Sequence, residues 1–226
     1  ELDGASVSVA APDGDVVILA PTTLTLTEHR IAIIGANGSG KSTLARLVNG
    51  LVRATTGRVL VDGVDVDRFG AKVRRRVGFV FTDPAAQLVM PTCLEDVELS
   101  LRRHEKDAVR RRDHARAVLA RFGLADHADV SVHALSGGQK QLLALAGVLA
   151  TAPDVLVADE PTTLLDLANT RRVADHLFGL DQQLVLVTHD LELAARCERV
   201  LVVEDARVRF DGPAPDAVAD YLATVG

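Results

Sequence analysis

The stretch Gly35-Ala36-Asn37-Gly38-Ser39-Gly40-Lys41-Ser42 carries the clearest chemistry in the chain, with the spacing G-x-x-x-x-G-K-S. Its glycines let a loop curl until successive backbone N–H groups converge on an anion, and a helix opening behind the loop adds positive potential. A lysine at the end of such a loop can reach the outer phosphates of a nucleoside triphosphate, and a following hydroxyl can ligate Mg²⁺. The flanks suit this reading. Ile31-Ala32-Ile33-Ile34 reads as a buried strand running in, and Thr43-Leu44-Ala45-Arg46-Leu47-Val48 as a helix running out. The expectation is a triphosphate site built from Gly35, Asn37, Gly38, Ser39, Gly40, Lys41, Ser42 and Thr43, with Lys41 also acting in catalysis.

Three further groups bear on the same chemistry. The apolar run Val155-Leu156-Val157-Ala158 ends in Asp159-Glu160. Residues just past the C-terminal end of a parallel strand face the ligand crevice. Asp159 is therefore placed to hold Mg²⁺ through water, and Glu160 to orient or deprotonate an attacking water. A second apolar run, Leu184-Val185-Leu186-Val187, ends in Thr188-His189-Asp190, where an imidazole can donate to a phosphate or hold the water. In Leu135-Ser136-Gly137-Gly138-Gln139, Ser136 caps a helix whose first turn holds two glycines, which makes another anion-binding N-terminus. One terminal phosphate in one chain does not need two such sites, so the second reads as serving a neighbour's nucleotide. Taken singly, these groups also read as an acidic pair capping a strand, a surface histidine opening a helix, and a plain helix cap. Their order behind the glycine loop favours the chemical reading.

The elements that must position these residues follow from the pattern. Ser6-Val7-Ser8-Val9 alternates, Pro12-Asp13-Gly14 reads as a turn, and Leu24-Thr25-Leu26 alternates again. Residues 57–66 read as a hairpin turning on Asp62-Gly63, and the basic run Arg74-Arg75-Arg76 leads into a strand over 77–81. From Asp83 to about Ala152 the pattern turns helical. Thr92 caps a helix holding Leu94, Val97, Leu99 and Leu101, and 106–122 is amphipathic with apolar positions at Val109, Ala115, Val118, Leu119 and Phe122. Strand–helix alternation then returns, with a hairpin of 201–203 and 208–210 and a last helix after Gly212-Pro213. No internal repeat or low-complexity linker interrupts this layout.

Bulk properties exclude several function classes. The 226 residues carry 25 Lys and Arg against 31 Asp and Glu, a net charge of −6, so no overall field draws the chain to nucleic acid or anionic lipid. The basic runs alternate with acids and have no interleaved aromatics for base stacking. Cys93 and Cys197 fit neither a disulfide framework nor a metal site and read as buried thiols in a reducing compartment. The uncharged run 142–153 is too short to span a bilayer. The expectation is that no signal peptide opens the chain and, with Glu1 first and Met90 the only methionine, that the native start lies upstream.

Residues 35–42, 135–139 and 155–160 together resemble the motifs of the ATP-binding cassette (ABC) ATPases, and the resemblance covers essentially the whole chain. It implies an α/β fold: a P-loop, RecA-like core with a mostly parallel sheet, an N-terminal antiparallel β part and a helical subdomain near 83–152, all within one domain over 1–226. By resemblance 35–42 is Walker A, 155–159 Walker B, Glu160 the catalytic glutamate, and 135–139 the signature motif. Leu165-Asp166 falls at the D-loop, bringing Asp166 to the nucleotide, and His189 is the switch histidine. The resemblance implies ATP and Mg²⁺ as cofactors and a second ABC subunit, identical or not, paired head to tail. Each ATP then lies between Walker A of one subunit and the signature of the other.

Within the family, Gly35-Ala36-Asn37-Gly38 and the stretch following the signature, through Ala150, are similar to the ATPases of energy-coupling factor (ECF) importers, which serve vitamins and cobalt or nickel. The stretch 81–92 is most similar to the biotin type. That implies a peripheral place on the cytoplasmic face of the membrane, beside an integral membrane coupling protein and a substrate-binding membrane protein. Leu88, Val89, Met90, Leu94 and Val97 are candidates for the coupling groove, or else for core packing, with Glu95, Asp96 and Glu98 as an acidic rim. Other readings are a soluble ABC ATPase acting on nucleic acid or ribosomes, and a degenerate regulatory subunit.

Three positions depart from the family pattern. Thr82 stands where a glutamine is usual, which leaves Thr82 as the Mg²⁺-shell candidate there and raises whether Gln87 substitutes. Ala11 stands before Pro12 where many relatives stack adenine on an aromatic, so the expectation is modest ATP affinity with weak discrimination against GTP. Thr163-Leu164 precedes Leu165-Asp166 where a small residue is usual.

Overall fold

A computed structural model of the chain describes residues 1–12 and 14–225, with only the backbone of Val225. In chain order it begins with β1 (Leu2–Val9), β2 (Val16–Leu24), β3 (Arg30–Ile34), α1 (Lys41–Asn49), β4 (Thr56–Val61), β5 (Val64–Asp65) and α2 (Val66–Arg76). There follow β6 (Val77–Val80), α3 (Cys93–Leu101), α4 (Ala108–Arg121), α5 (Gly137–Leu149), β7 (Val155–Asp159) and α6 (Leu167–Phe178). The chain closes with β8 (Gln183–Val187), α7 (Leu191–Ala195), β9 (Arg199–Glu204), β10 (Arg207–Pro213) and α8 (Ala214–Val225). Two compact units result. One comprises Glu1–Val77, Asp154–Glu160 and the chain from Leu180 on; the other comprises Gly78–Pro153 and Pro161–Gly179.

The first unit holds two sheets. An antiparallel one has the order β2-β1-β4-β5. In the other, β9, β3, β8 and β7 run parallel in that order, with β10 antiparallel on the outside of β9. Ile31, Ala32, Ile33 and Ile34 of β3 are fully buried, as are Leu184 and Leu186 of β8. Strands covered on both faces read as continuous apolar runs, and these do. At the start of β3 the buried guanidinium of Arg30 donates to the carbonyls of His29 and Gln182 at 3.0 and 2.8 Å, and to that of Leu180. The sheet's C-terminal edge is left to carry the motifs.

Two sequence expectations in this unit shift. The second strand spans Val16–Leu24 rather than beginning at Leu24. Pro21 hides the strand in the sequence, but β2 is an edge strand, where a missing N–H costs little. The turn between β1 and β2 is closed by Gly14 N–H on the Ala11 carbonyl at 3.1 Å, while Asp13 lies outside the described residues. The hairpin on Asp62-Gly63 forms, with φ of 45° and 73° as a mirror-image turn requires. It ends at Asp65, and Val66 instead opens α2, whose first turn Asp65 caps by accepting from Arg68 N–H at 2.9 Å. Arg74, Arg75 and Arg76 are that helix's last turn.

The second unit is helical. Thr92 and Glu95 form a reciprocal capping box on α3, Asp107 caps α4, Ser136 caps α5 and Asp166 caps α6. In α4 the buried stripe is Ala115, Val118, Leu119 and Phe122, as expected, but Val109 is 70% exposed. Val109 sits six residues before Ala115, about 240° around the helix, so it points away from the stripe. Leu94 and Val97 are also core, with exposures of 1% and 0%, and only Val89 of the coupling-groove candidates is exposed. Asp96 is no rim residue: it is buried, and its Oδ1 accepts from the N–H groups of Val89 and Met90, both at 2.9 Å. A depression of about 240 Å³ nearby is lined by Met90, Glu95, Glu98, Leu99, Arg102 and Arg111.

Candidate nucleotide site

In the first unit the glycine loop joins β3 to α1. Gly35, Gly38 and Gly40 have φ of 143°, 80° and 108°, which side-chain-bearing residues rarely adopt. A Cβ on Gly35 would lie 2.0 Å from the Val203 carbonyl oxygen, and one on Gly40 would lie 2.7 Å from that of Ile18. The loop is tied down from outside: Ala206 N–H donates to the Ser39 carbonyl at 3.1 Å, and Ala20 N–H to the Ala206 carbonyl at 2.7 Å. Gly40 begins α1 with no side-chain cap, so the cap adds no acceptor to the first-turn N–H groups that every helix leaves unpaired within itself. The Ser39 hydroxyl is buried without a hydrogen-bond partner among the described residues. Curl, helix terminus and unpartnered hydroxyl fit a phosphate chain. Asn37 is exposed on the loop and Thr43 half-buried in the first turn of α1.

Lys41 is buried, and its ammonium reaches back over the loop to the Ala36 carbonyl at 2.8 Å. Burial lowers its pKa, against the pull of the nearby Glu160 and Asp159 carboxylates. At the end of β7, Asp159 is 1% exposed; its Oδ1 accepts from the Ser42 hydroxyl at 2.8 Å and its Oδ2 from Arg46 at 2.9 Å. Ser42 and Arg46 are one helical turn apart, so a single face of α1 presents both to the same carboxylate. Arg46 was not among the residues expected from the sequence, although its spacing from Ser42 is a readable signal. A hydroxyl and a carboxylate in contact are the hard oxygen donors that Mg²⁺ takes.

Glu160 has φ of 53°, an unusual conformation for a residue with a side chain, and its N–H donates to the Val187 carbonyl at 2.9 Å. This step turns the chain from the end of β7 toward the end of β8, where His189 Nδ1 lies 2.6 Å from Glu160 Oε2. A carboxylate there accepts a hydrogen bond from Nδ1–H. The neutral ring then presents Nε2 as an acceptor, and only the imidazolium donates from it. The first unit thus brings Lys41, Ser42, Asp159, Glu160 and His189 to one place.

The second unit carries the remaining candidates. Ser136 Oγ accepts from Gln139 N–H at 3.3 Å, and Gln139 Oε1 accepts from Ser136 N–H at 2.9 Å, closing a capping box around Gly137 and Gly138. A Cβ on Gly138 would lie 2.2 Å from the Asn169 side chain. Asn169 is itself held by Asp166, whose carboxylate accepts from its N–H and Nδ2 at 2.8 and 3.0 Å. The backbone bond leads in lowering the Asp166 pKa. Thr82 is half-buried just after β6. Gln87 accepts from Phe81 N–H at 3.3 Å and donates to the Ala144 carbonyl at 3.4 Å, so both ends of its amide are committed inside this unit. Cys93 and Cys197 are buried and free. Among the described residues no helix is long and apolar enough to cross a membrane.

Comparison with known proteins agrees with this geometry. The profile of the ABC transporter family matches residues 20–163. A Deinococcus radiodurans protein named among the ABC transporter ATP-binding proteins is 46% identical over 90% of each chain. The biotin transport ATP-binding protein BioM of Rhizobium etli is 45% identical over 91% of each. Among solved structures, the ATP-binding cassette MJ0796, dimeric and bound to ADP and Pi, aligns with a TM-score of 0.85 at 30% identity, covering 94% of this chain and 97% of its own. CbiO1 of Clostridium perfringens, part of the ABC transporter complex CbiONQ, aligns with a TM-score of 0.83 at 29% identity, covering 99% and 92%. Fold, glycine loop, acidic pair and relatives converge: the chain belongs to the ABC transporter family, as an ATP-binding subunit that hydrolyses ATP.

Proposed function

We propose that this chain powers an ECF-type importer, taking up a vitamin or a transition-metal ion, with biotin the best candidate. Support comes from the BioM relative and from the likeness to CbiO1. In this reading the chain is one ABC domain with an inserted helical subdomain, paired with a second ABC subunit, identical or not. It sits on the cytoplasmic face of the membrane against a coupling protein and a substrate-binding membrane protein.

The observation that carries the catalytic part is the contact of Glu160 with His189 beside Lys41, Ser42 and Asp159. Residues 35–43 bind and orient the triphosphate, with Lys41 toward its outer phosphates. Glu160 takes a proton from the attacking water, and His189 holds Glu160 in place through Nδ1. Bound Mg²⁺ would be held by Ser42 and, through water, by Asp159, and would neutralise phosphate charge. Ser136, Gly137, Gly138 and Gln139 serve the partner subunit's nucleotide, with Asp166 near the same junction. Thr82 takes the place of a longer side chain, which lowers turnover without abolishing it.

The test is a tagged Glu160→Gln form recovered with ATP from detergent-solubilised native membranes. Small, very hydrophobic membrane proteins that carry biotin are the expected companions. Recovery with nucleic acid or ribosomal proteins alone overturns the importer reading; a different solute on those membrane proteins overturns biotin only.

A further inference from the structure

His127 and Gln139 meet in the second unit, and chemistry fixes the hydrogens at that contact. Ser136 N–H can only donate, so the Gln139 atom 2.9 Å from it is the side-chain oxygen. Gln139 Nε2 therefore faces the other way, 2.9 Å from His127 Nε2. An amide NH₂ has no lone pair to offer, so His127 Nε2 accepts, and the ring is neutral with its proton on Nδ1. Nδ1 is buried with no hydrogen-bond partner among the described residues. An imidazolium would set N–H against N–H and break the contact. His127 ends a short 3-10 turn, Ala125–His127, whose last N–H donates to the Leu124 carbonyl at 3.0 Å, so the ring is fixed from outside α5.

We propose that His127 is a positioning residue for the signature motif. Its neutral, Nδ1-protonated ring holds the Gln139 amide in the capping box, and that box sets the direction of the first-turn N–H groups of α5. Ser136 and Gln139 thereby reach a nucleotide across the subunit junction with their geometry already formed. This rests on the reading of 135–139 as a contact to a partner's nucleotide. Without the acceptor, Gln139 loses the bond that keeps its oxygen on Ser136 N–H.

The test takes Glu160→Gln as parent and reads, by light scattering, the ATP concentration at which half the chains pair. His127→Phe keeps the ring's bulk and removes the acceptor; it is expected to raise that concentration about five-fold, the loss of one ordinary hydrogen bond. His127→Gln, whose amide oxygen can accept in place of Nε2, is expected to return it to the parent's value. An unchanged midpoint in His127→Phe overturns the proposal. If His127→Phe does not fold, imidazole nitrogen NMR shifts of the parent decide: the Nδ1-protonated tautomer supports the proposal, and an Nε2-protonated or charged ring at neutral pH overturns it. A parent that does not pair with ATP overturns the dimer reading, and the same NMR measurement on the single chain still decides the contact.

Discussion

Glu160 combines a left-handed backbone, a bond to Val187 and a bond to His189, so its carboxylate is held rather than free to wander. In the proposed mechanism, replacing it with Gln keeps the shape and removes the base. Turnover is expected to fall on the order of 10²–10⁴-fold with ATP binding retained, read by single-turnover kinetics beside equilibrium binding. Arg46 has a different job. Asp159 is almost fully buried and Arg46 is 41% exposed, so the pair is worth less than a buried one, and Arg46→Met is expected to cost about 1 kcal/mol of stability. Urea unfolding of Arg46→Met, Asp159→Asn and the double variant checks this, and additive losses would mean the two do not couple. Much of this was legible: the spacing of residues 35–42 and the pair Asp159-Glu160 need no coordinates. The φ of Glu160 was not, because it depends on how β7 ends beside β8, and the spacing of Arg46 from Ser42 put the two on one helix face without naming Asp159 as their shared partner.

Helix ends were the most readable elements. Thr92 and Ser136 both cap as expected, since a capping box is written in four consecutive residues. α2 and β2 were not legible: Gly70 and three arginines disguised a helix with only Val66 and Val73 buried, and Pro21 disguised an edge strand. The fit of α5 to the start of α6 is also a matter of elements. Gly138 leaves room for Asn169, which Asp166 pins. Gly138→Ala is expected to cost more than the ~1 kcal/mol typical of a single substitution, through overpacking. Adding Asn169→Ala is expected to recover part of that loss, and thermal melting of the three variants measures it. The sequence showed two glycines after Ser136 but not that one of them is required by a neighbour 31 residues on.

The whole molecule answers to pH through a thiol that no chemistry uses. Burial pushes Cys197 up to about 12, with Arg30 and Arg196 opposing. Unfolded, it titrates near the usual ~8.5. Between those values the unfolded chain has lost a proton that the native chain keeps. The stability this thiol contributes is therefore full below the ordinary thiol range and lost as pH rises toward about 12, by up to ~1.4 kcal/mol per pH unit. Denaturant midpoints measured across that window are expected to fall more steeply for the wild type than for Cys197→Ala. The burial of Cys197 and a helical part near 83–152 were legible in the sequence; that Pro161–Gly179 joins Gly78–Pro153 in the second unit was not, since it depends on contacts distant in sequence. The Lys41 ammonium rests on Ala36, the Ser42 hydroxyl on Asp159, and Glu160 on His189, so these three side chains of the proposed site are already paired, while the Ser39 hydroxyl and the first-turn N–H groups of α1 supply the new donors. For those three side chains, nucleotide capture in the proposed site is a swap of partners, and the bonds gained come from the loop and the start of α1. Calorimetry is expected to find a small heat of binding for so many polar contacts, with the free energy drawn mainly from released water and ions.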